Sequence, residues 1–181
     1  MVRMKAVFLD RDGTISAGIP KYERVDSVEK VELLPGVLKA LEELAKLDYA
    51  VFLVTNQAGI AEGLITLDDF QEINSEVLRR LAPSGIQIQK TYWCPHGESA
   101  TCECRKPKPK LLQDAAAEFG IDLDMSWMVG DRPSDVMTGV NAGTRTILVM
   151  TGAPNVVAPE ATYTAPTLVE AVRYIAEHPD R

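Results

Sequence analysis

Short runs of consecutive apolar residues alternate along this chain with stretches in which apolar residues recur every three or four positions. An uninterrupted apolar run of this kind is typical of a strand that is buried on both faces, and such strands belong to parallel sheets. The stretches between the runs have the periodicity of amphipathic helices. The alternation therefore predicts an α/β fold with a doubly wound parallel sheet.

The pattern predicts six strands, the last of them short: residues 5–9, 49–55, 86–93, 127–129, 146–150 and 162–164. The predicted helices cover residues 35–45, 66–81, 110–119 and 133–142, with a last one from residue 167. No internal repeat, low-complexity tract or linker divides the 181 residues, which are enough for one well-packed core. We expect a single domain over residues 1–181.

Charge and hydropathy exclude several classes of partner. The formal net charge is −7, which disfavours binding to nucleic acid or to a membrane surface. No apolar run approaches the roughly 20 residues that cross a bilayer, and the first residues lack the apolar stretch of a secretory signal. We expect a cytoplasmic monomer that acts on a small molecule.

Polar side chains stand where three predicted strands end. They are Asp10 and Asp12 in VFLDRDGT, Thr55 and Asn56 after the second strand, and Asp131 and Asp135 in VGDRPSD. In a doubly wound sheet, ligands bind beyond the carboxyl ends of the strands where the strand order reverses. These side chains are therefore expected to form one site.

Two other interpretations of the Asp-Arg-Asp-Gly segment are weaker. A calcium loop starting at Asp10 would need glycine where Ile15 stands and glutamate where Lys21 stands. A plain surface turn is the usual meaning of Asp-Gly. The buried strand before the segment and the acidic GDRPSD segment downstream favour a functional site instead.

Carboxylates placed close together need a compensating cation, and Mg²⁺ prefers oxygen ligands. Asp10 and Asp131 are the expected magnesium ligands. Asp10 could then attack a phosphorus atom as an ionised nucleophile and form an aspartyl-phosphate. Asp12 could protonate the leaving oxygen and later activate water, and Gly13 would permit the tight turn at this point.

The negative charge of a bound phosphate needs donors. Thr55 and Asn56 can hold phosphate oxygens, and Lys106 is the cation best placed to neutralise the transferring group. Lys106 lies in the basic segment RKPKPK. For Lys108 and Lys110 of that segment, an ordinary solvated positive loop remains an alternative.

All three cysteines lie in one segment, CPHGESATCECRKPKP. With one histidine they make a Cys₃His set, the usual closed form of a structural zinc site: Cys94, His96, Cys102 and Cys104. Three reduced thiols beside a surface histidine, or a redox pair, are the alternatives. The spacing Cys-x-Cys lacks the two-residue gap of the usual redox motif. Zinc would position the basic residues that follow.

The segments DRDGT, TN, KP and GDRPSD, in this order, resemble the four motifs of the haloacid-dehalogenase-like (HAD) phosphatase superfamily. The resemblance runs from residue 5 to about residue 152. It implies a Rossmann-like core, magnesium dependence and an aspartyl-phosphate intermediate. It also implies that Asp12 binds the metal through its backbone carbonyl.

The zinc loop resembles that of two HAD families, the D-glycero-D-manno-heptose 1,7-bisphosphate 7-phosphatases and the histidinol-phosphate phosphatases. The segment TNQAGIAEGL is closer to the heptose family, although Glu62 stands where that family typically has arginine. The resemblance implies that Arg105 contacts substrate. Arg132 could do so too, but it does not separate the two families.

The segments after the first two strands are too short for an inserted cap domain, so an open, capless site is expected. The leading hypothesis is a phosphomonoesterase for a sugar bisphosphate, with histidinol phosphate as the second substrate. A nucleic-acid 3′-phosphatase is disfavoured by the net charge of −7. A non-catalytic zinc-stabilised binding module is disfavoured because every expected catalytic residue is present.

Overall fold

A six-stranded parallel sheet forms the centre of the molecule. The computed structural model describes residues 4–17, 26–152 and 155–179. The strands are β1 (Ala6–Leu9), β2 (Ala50–Asn56), β3 (Ile88–Cys94), β4 (Trp127–Gly130), β5 (Arg145–Val149) and β6 (Tyr163–Ala165). All six predicted strands are confirmed, with ends that move by at most two residues.

The strand order is β3-β2-β1-β4-β5-β6, which is the doubly wound arrangement that the sequence predicted. From β1 the chain adds β2 and then β3 on one side of the sheet. It then crosses over and adds β4, β5 and β6 on the other side of β1. Leu9, the last residue of β1, pairs with Leu53 of β2 and Val129 of β4. The switch point therefore lies between β1 and β4, and ligand sites of such sheets lie beyond it.

Helices flank the sheet at the predicted places. They are α1 (Val37–Leu44), α2 (Ala58–Ala61), α3 (Leu67–Leu81), α4 (Lys110–Phe119), α5 (Pro133–Ala142) and α6 (Leu168–Glu177). The four-residue helix α2 was not predicted, because it is too short to show a periodicity. Short 3₁₀ turns lie at Val28–Lys30, Ala82–Ser84 and Leu123–Met125.

The continuous apolar run of β1 is explained by burial on both faces. Val7 and Leu9 belong to the core between the sheet and helices α1, α3 and α6. Ala6 and Phe8 point to the other face and pack with the residues of α4. All four side chains are fully buried, so neither face of this strand can carry a polar residue. Trp127 also lies in the core.

The connections that could carry an inserted cap are short in the described residues. In the described residues, the connection from β1 to α1 contains one helical element, the 3₁₀ turn Val28–Lys30. The connection from β2 to α3 contains one as well, the helix α2. Residues 18–25 lie outside the described residues. None of the described helices is both long and apolar enough to span a bilayer.

Candidate active site

Three carboxylates converge at the carboxyl edge of the sheet, beside the switch point. Asp10 follows β1, and its backbone N–H donates to Val129 O of β4 at 2.9 Å. Asp131 follows β4, and Asp135 lies in the first turn of α5. One oxygen from each of the three carboxylates lies within 4.8 Å of the others, and all three residues are buried. The predicted convergence of Asp10 and Asp131 is present in the structure.

Lys106 is the cation at the centre of this cluster. Its Nζ lies 2.5 Å from Asp10 Oδ1 and 2.6 Å from Asp135 Oδ1, and it donates to Val54 O at 3.1 Å. The side chain of Lys106 is only 4% exposed. Burial disfavours the ammonium, but the two carboxylates outweigh it and raise the pKa of Lys106 above its ordinary value. Lys106 is therefore charged at neutral pH.

One ammonium does not neutralise three carboxylates. Burial raises the pKa of Asp10 well above its ordinary value, and the charges of Asp135 and Asp131 add to this, while Lys106 opposes it. Burial and the neighbouring charge of Asp135 raise the pKa of Asp131 to about 6. Asp131 Oδ1 is buried and has no hydrogen-bond partner among the described residues. A divalent cation with oxygen preference, such as Mg²⁺, fits this uncompensated set.

Two glycines enclose the Asp131 carboxylate. A Cβ atom on Gly13 would lie 2.5 Å from Asp131 Oδ2, and one on Gly152 would lie 1.9 Å from the same atom. Gly13 also has a φ of +99°, which a residue with a side chain rarely adopts. The Thr151 hydroxyl donates to Gly13 O at 2.6 Å and joins the two loops. The sequence indicates the tight turn at Gly13 but carries no local signal for Gly152.

Asp12 is not a member of the Asp10–Asp131–Asp135 cluster, and its carboxylate is surrounded by donors. Arg11 donates from Nε to Oδ1 at 3.0 Å and from Nη2 to Oδ2 at 2.9 Å. Ser16 donates to Oδ1 at 3.1 Å, and Gln57 donates to Oδ2 at 2.8 Å. Burial would raise the pKa of Asp12, but the charge of Arg11 and these hydrogen bonds hold it below its ordinary value.

The two residues at the end of β2 have different surroundings. Thr55 is buried, and its hydroxyl oxygen accepts from Gln57 Nε2 at 2.8 Å. The Asn56 side chain is bonded to the backbone of Lys106 in both directions, donating to its carbonyl at 3.3 Å and accepting from its N–H at 3.1 Å. In this arrangement the Asn56 amide positions Lys106.

The four predicted zinc ligands form a second cluster. Cys94 Sγ lies 3.0 Å from Cys104 Sγ, 3.8 Å from Cys102 Sγ and 3.4 Å from His96 Nδ1. Burial and the nearby Cys104 thiol raise the pKa of Cys94 to about 12. Three sulfur atoms and one imidazole within 4.8 Å of one another are the donor set and number that tetrahedral Zn²⁺ takes.

The basic residues after the cysteines are mostly engaged within the loop. Arg105 donates to His96 O at 3.1 Å and lies 3.4 Å from the Glu98 carboxylate. Lys108 donates to Cys102 O and to Glu103, and Lys110 pairs with Asp114 at 2.7 Å along α4. Arg132 stays largely exposed, with its Nε 3.9 Å from Asp131 Oδ2. Only Lys106 of this segment enters the carboxylate cluster.

Three residues of the site were missed in the sequence. Arg11 and Gln57 contact Asp12, and Gly152 packs on Asp131. Arg11 and Gln57 are direct neighbours of predicted site residues, so adjacency was the available signal. Gly152 lies beyond β5, and only the fold brings it to the site.

Comparison with known proteins agrees with this geometry. An HAD-hydrolase-like family model matches residues 103–175. The D-glycero-β-D-manno-heptose-1,7-bisphosphate 7-phosphatase of Photorhabdus laumondii is 40% identical over 158 residues, which are 82% of each chain. The enzyme of the same name from Escherichia coli K12 is 38% identical over 165 residues, 86% of this chain and 83% of that protein.

Solved structures give the same result. The D,D-heptose 1,7-bisphosphate phosphatase of B. bronchiseptica, solved with magnesium and phosphate, superposes with a TM-score of 0.88 at 32% identity, covering 97% of this chain and 99% of that one. The corresponding enzyme of Burkholderia thailandensis gives a TM-score of 0.70 at 27% identity, covering 95% and 98%. The chain therefore belongs to the HAD phosphatases, in the group of the heptose-bisphosphate phosphatases.

Proposed function

We propose that this phosphatase removes the 7-phosphate of D-glycero-D-manno-heptose 1,7-bisphosphate through an aspartyl-phosphate on Asp10. The observation that carries the proposal is the buried cluster in which Lys106 contacts Asp10 at 2.5 Å beside Asp131 and Asp135. The named activity of relatives about 40% identical over four fifths of the chain supports the substrate.

The reaction uses residues already placed at the carboxyl edge. A carboxylate oxygen of Asp10 bonds to phosphorus, and the bond from phosphorus to the sugar oxygen breaks. The electron pair of that bond goes to the sugar oxygen, which takes a proton from Asp12. Asp12 is ionised in the substrate-free site, so it takes up this proton when the anionic substrate binds beside it. Asp12 then accepts a proton from the water that attacks the aspartyl-phosphate, which releases phosphate and regenerates Asp10.

Charge stabilisation comes from residues around the phosphate. Lys106 balances the charge of the transferring group, and the Thr55 hydroxyl can donate to a phosphate oxygen. Asp10, Asp131 and the Asp12 backbone carbonyl would hold Mg²⁺, with Asp135 supporting them. Bound magnesium supplies positive charge that keeps Asp10 ionised near an anionic substrate.

Zn²⁺ would be held by four ligands: Cys94, His96, Cys102 and Cys104. It would stabilise the fold of the loop, and it would have no open coordination position for a substrate. Lys106 follows Cys104 by two residues, so the loop's geometry sets the place of the central cation. Arg105 and Arg132 are the cations available to the rest of an anionic substrate.

The proposal includes a single domain over residues 1–181 that acts as a cytoplasmic monomer. The sheet supports the first part, because it takes strands from Ala6 through Ala165. Limited proteolysis and sedimentation equilibrium test it: a stable fragment lacking β5 and β6, or a dimer at working concentrations, would contradict it.

A phosphate-release assay tests the function. Heptose 1,7-bisphosphate, histidinol phosphate and fructose 1,6-bisphosphate are compared with and without Mg²⁺. We expect heptose bisphosphate to give the highest kcat/KM, and D10N to abolish turnover while exposed D48N leaves it unchanged. Preference for histidinol phosphate would replace the proposed substrate, and appreciable activity of D10N would contradict the covalent route.

A further inference from the structure

Lys106 and Pro107 lie at the centre of a tight turn, which we call the Lys106–Pro107 turn. The Lys108 N–H donates to Arg105 O at 2.9 Å and closes this turn. The peptide groups at the centre of such a turn have no partner within it, so at an exposed tip they bind water. The partners of these central groups therefore decide how firmly the base of the Lys106 side chain is held.

Two asparagine side chains supply the partners of these central groups. Asn56, at the end of β2, accepts from the Lys106 N–H at 3.1 Å and donates to the Lys106 carbonyl at 3.3 Å. Asn141, in the last turn of α5, donates to the Pro107 carbonyl at 3.0 Å. Proline has no N–H, so each backbone donor and acceptor of the two central residues has a partner. The turn is thereby attached both to the sheet and to α5.

The contacts of the Lys106 ammonium do not replace these backbone bonds during the proposed reaction. Its partner Asp10, 2.5 Å away, becomes an aspartyl-phosphate, and the charge of that carboxylate is lost. Asp135, at 2.6 Å, and Val54 O remain as partners, but they hold only the end of a flexible four-carbon side chain. The asparagine bonds involve no reacting atom, so they persist through both chemical steps.

We infer that Asn56 and Asn141 are positioning residues. They hold the Lys106–Pro107 turn so that the ammonium stays at the phosphoryl group after its ion pair with Asp10 is lost. The inference rests on the proposed function, in which Lys106 balances the charge of the transferring group. It gives Asn56 a different role from the phosphate ligand that the sequence predicts, and it extends the site to the last turn of α5.

A comparison in two backgrounds separates positioning from direct binding. If the asparagines act through Lys106, their replacement changes phosphate affinity only while the lysine is present. A direct phosphate ligand, or a residue that merely stabilises the fold, would lower the affinity by the same factor in wild type and in K106M. Inorganic phosphate is titrated into protein loaded with Mg²⁺ and Zn²⁺ and followed by calorimetry, so this measurement needs no turnover.

N56L keeps the size of the side chain but removes its donor and acceptor. We expect phosphate affinity and kcat/KM for heptose bisphosphate to fall about ten- to a hundredfold, because a displacement of about 1 Å can cost a hundredfold. N141A removes one exposed bond and should cost about two- to fivefold. In K106M, either replacement should change phosphate affinity less than about twofold. N74L is the matched control, since the Asn74 amide joins α3 to Thr91 of β3, and it should leave these values unchanged.

Chemical labelling checks the position of the lysine without any ligand. The Lys106 side chain is only 4% exposed, so acetic anhydride should acylate it slowly in wild type and several-fold faster in N56L, while labelling of the exposed Lys110 stays the same. Equal labelling of Lys106 in N56L and wild type, or an equal loss of phosphate affinity in both backgrounds, would overturn the inference. A wild-type enzyme that shows the expected phosphate binding but does not hydrolyse heptose bisphosphate would instead contradict the proposed function.

Discussion

The ammonium of Lys106 lies between two carboxylates, 2.5 Å from Asp10 Oδ1 and 2.6 Å from Asp135 Oδ1. Asp10 and Lys106 are 96 positions apart in the chain, and the fold brings them into a buried ion pair. The pair joins the end of β1 to the segment after the cysteine loop. The same contact thus stabilises the carboxyl edge and balances charge at the proposed nucleophile.

Replacement of Lys106 by methionine should abolish most activity and destabilise the fold. Removing one partner of a buried ion pair leaves uncompensated charge, which typically costs about 3–5 kcal/mol. Phosphate release and thermal unfolding measure the two effects. K110M is the control, because Lys110 forms an exposed pair with Asp114 and should matter little. K106M with wild-type activity would contradict the role of this cation.

Replacement of Gly152 by alanine should weaken magnesium binding and activity. The new Cβ would lie 1.9 Å from Asp131 Oδ2, so either the loop or the carboxylate must move. Isothermal titration with Mg²⁺ and phosphate release provide the measurements. G97A is the matched control, since a Cβ there meets no atom within 4 Å. Equal magnesium affinity in G152A and wild type would contradict the role of the Gly152 backbone in fixing the Asp131 carboxylate for the metal.

Replacement of Asp131 by asparagine should have opposite effects on stability and on metal binding. Burial and the charge of Asp135 raise the pKa of Asp131 to about 6 in the metal-free protein. The folded state therefore binds the proton more tightly than the unfolded state, and stability falls as pH rises from about 4 to 6. Metal-free D131N should have a higher Tm than wild type at pH 7.5.

The advantage of D131N should shrink as pH falls toward 4, because the carboxyl of the folded wild-type protein is then protonated and no longer repels Asp135. Its magnesium affinity should fall at least about tenfold at pH 7.5, since a ligand charge is lost. Unfolding scans at several pH values and magnesium titrations provide the data. A lower Tm for metal-free D131N at pH 7.5 would contradict the repulsion argument.

Replacement of Cys102 by serine should lower the zinc content and reduce activity. Cys102 Sγ lies 3.8 Å from Cys94 Sγ within the four-ligand cluster. Lys106 follows Cys104 by two residues, and its backbone N–H donates to the Asn56 side chain. Disorder of the cysteine loop would therefore displace Lys106 from the site. Elemental analysis gives the zinc-to-protein ratio. T101S, at an exposed neighbour, is the control, and an unchanged ratio in C102S would refute the ligand assignment.

Much of this protein could be predicted from its residues alone, because local patterns carry the information. The uninterrupted apolar run of β1 predicts burial on both faces, and parallel strands bring their carboxyl ends to one edge. Asp10 and Asp131 follow buried strands, so their convergence could be predicted without coordinates. The four proposed zinc ligands lie close together in the sequence and were recognisable by residue type and spacing.

Other features depend on contacts between distant segments. The sequence marks Lys106 as a candidate cation, but only the packed structure shows that it contacts Asp10 and Asp135 while its neighbours pair elsewhere. The approach of Gly152 to Asp131, and the two bonds of the Gln57 amide, likewise arise when separate loops meet. Periodicity and spacing determine which elements form and which end carries the site; hydrogen-bond direction and close packing depend on distances between atoms that only the folded chain defines.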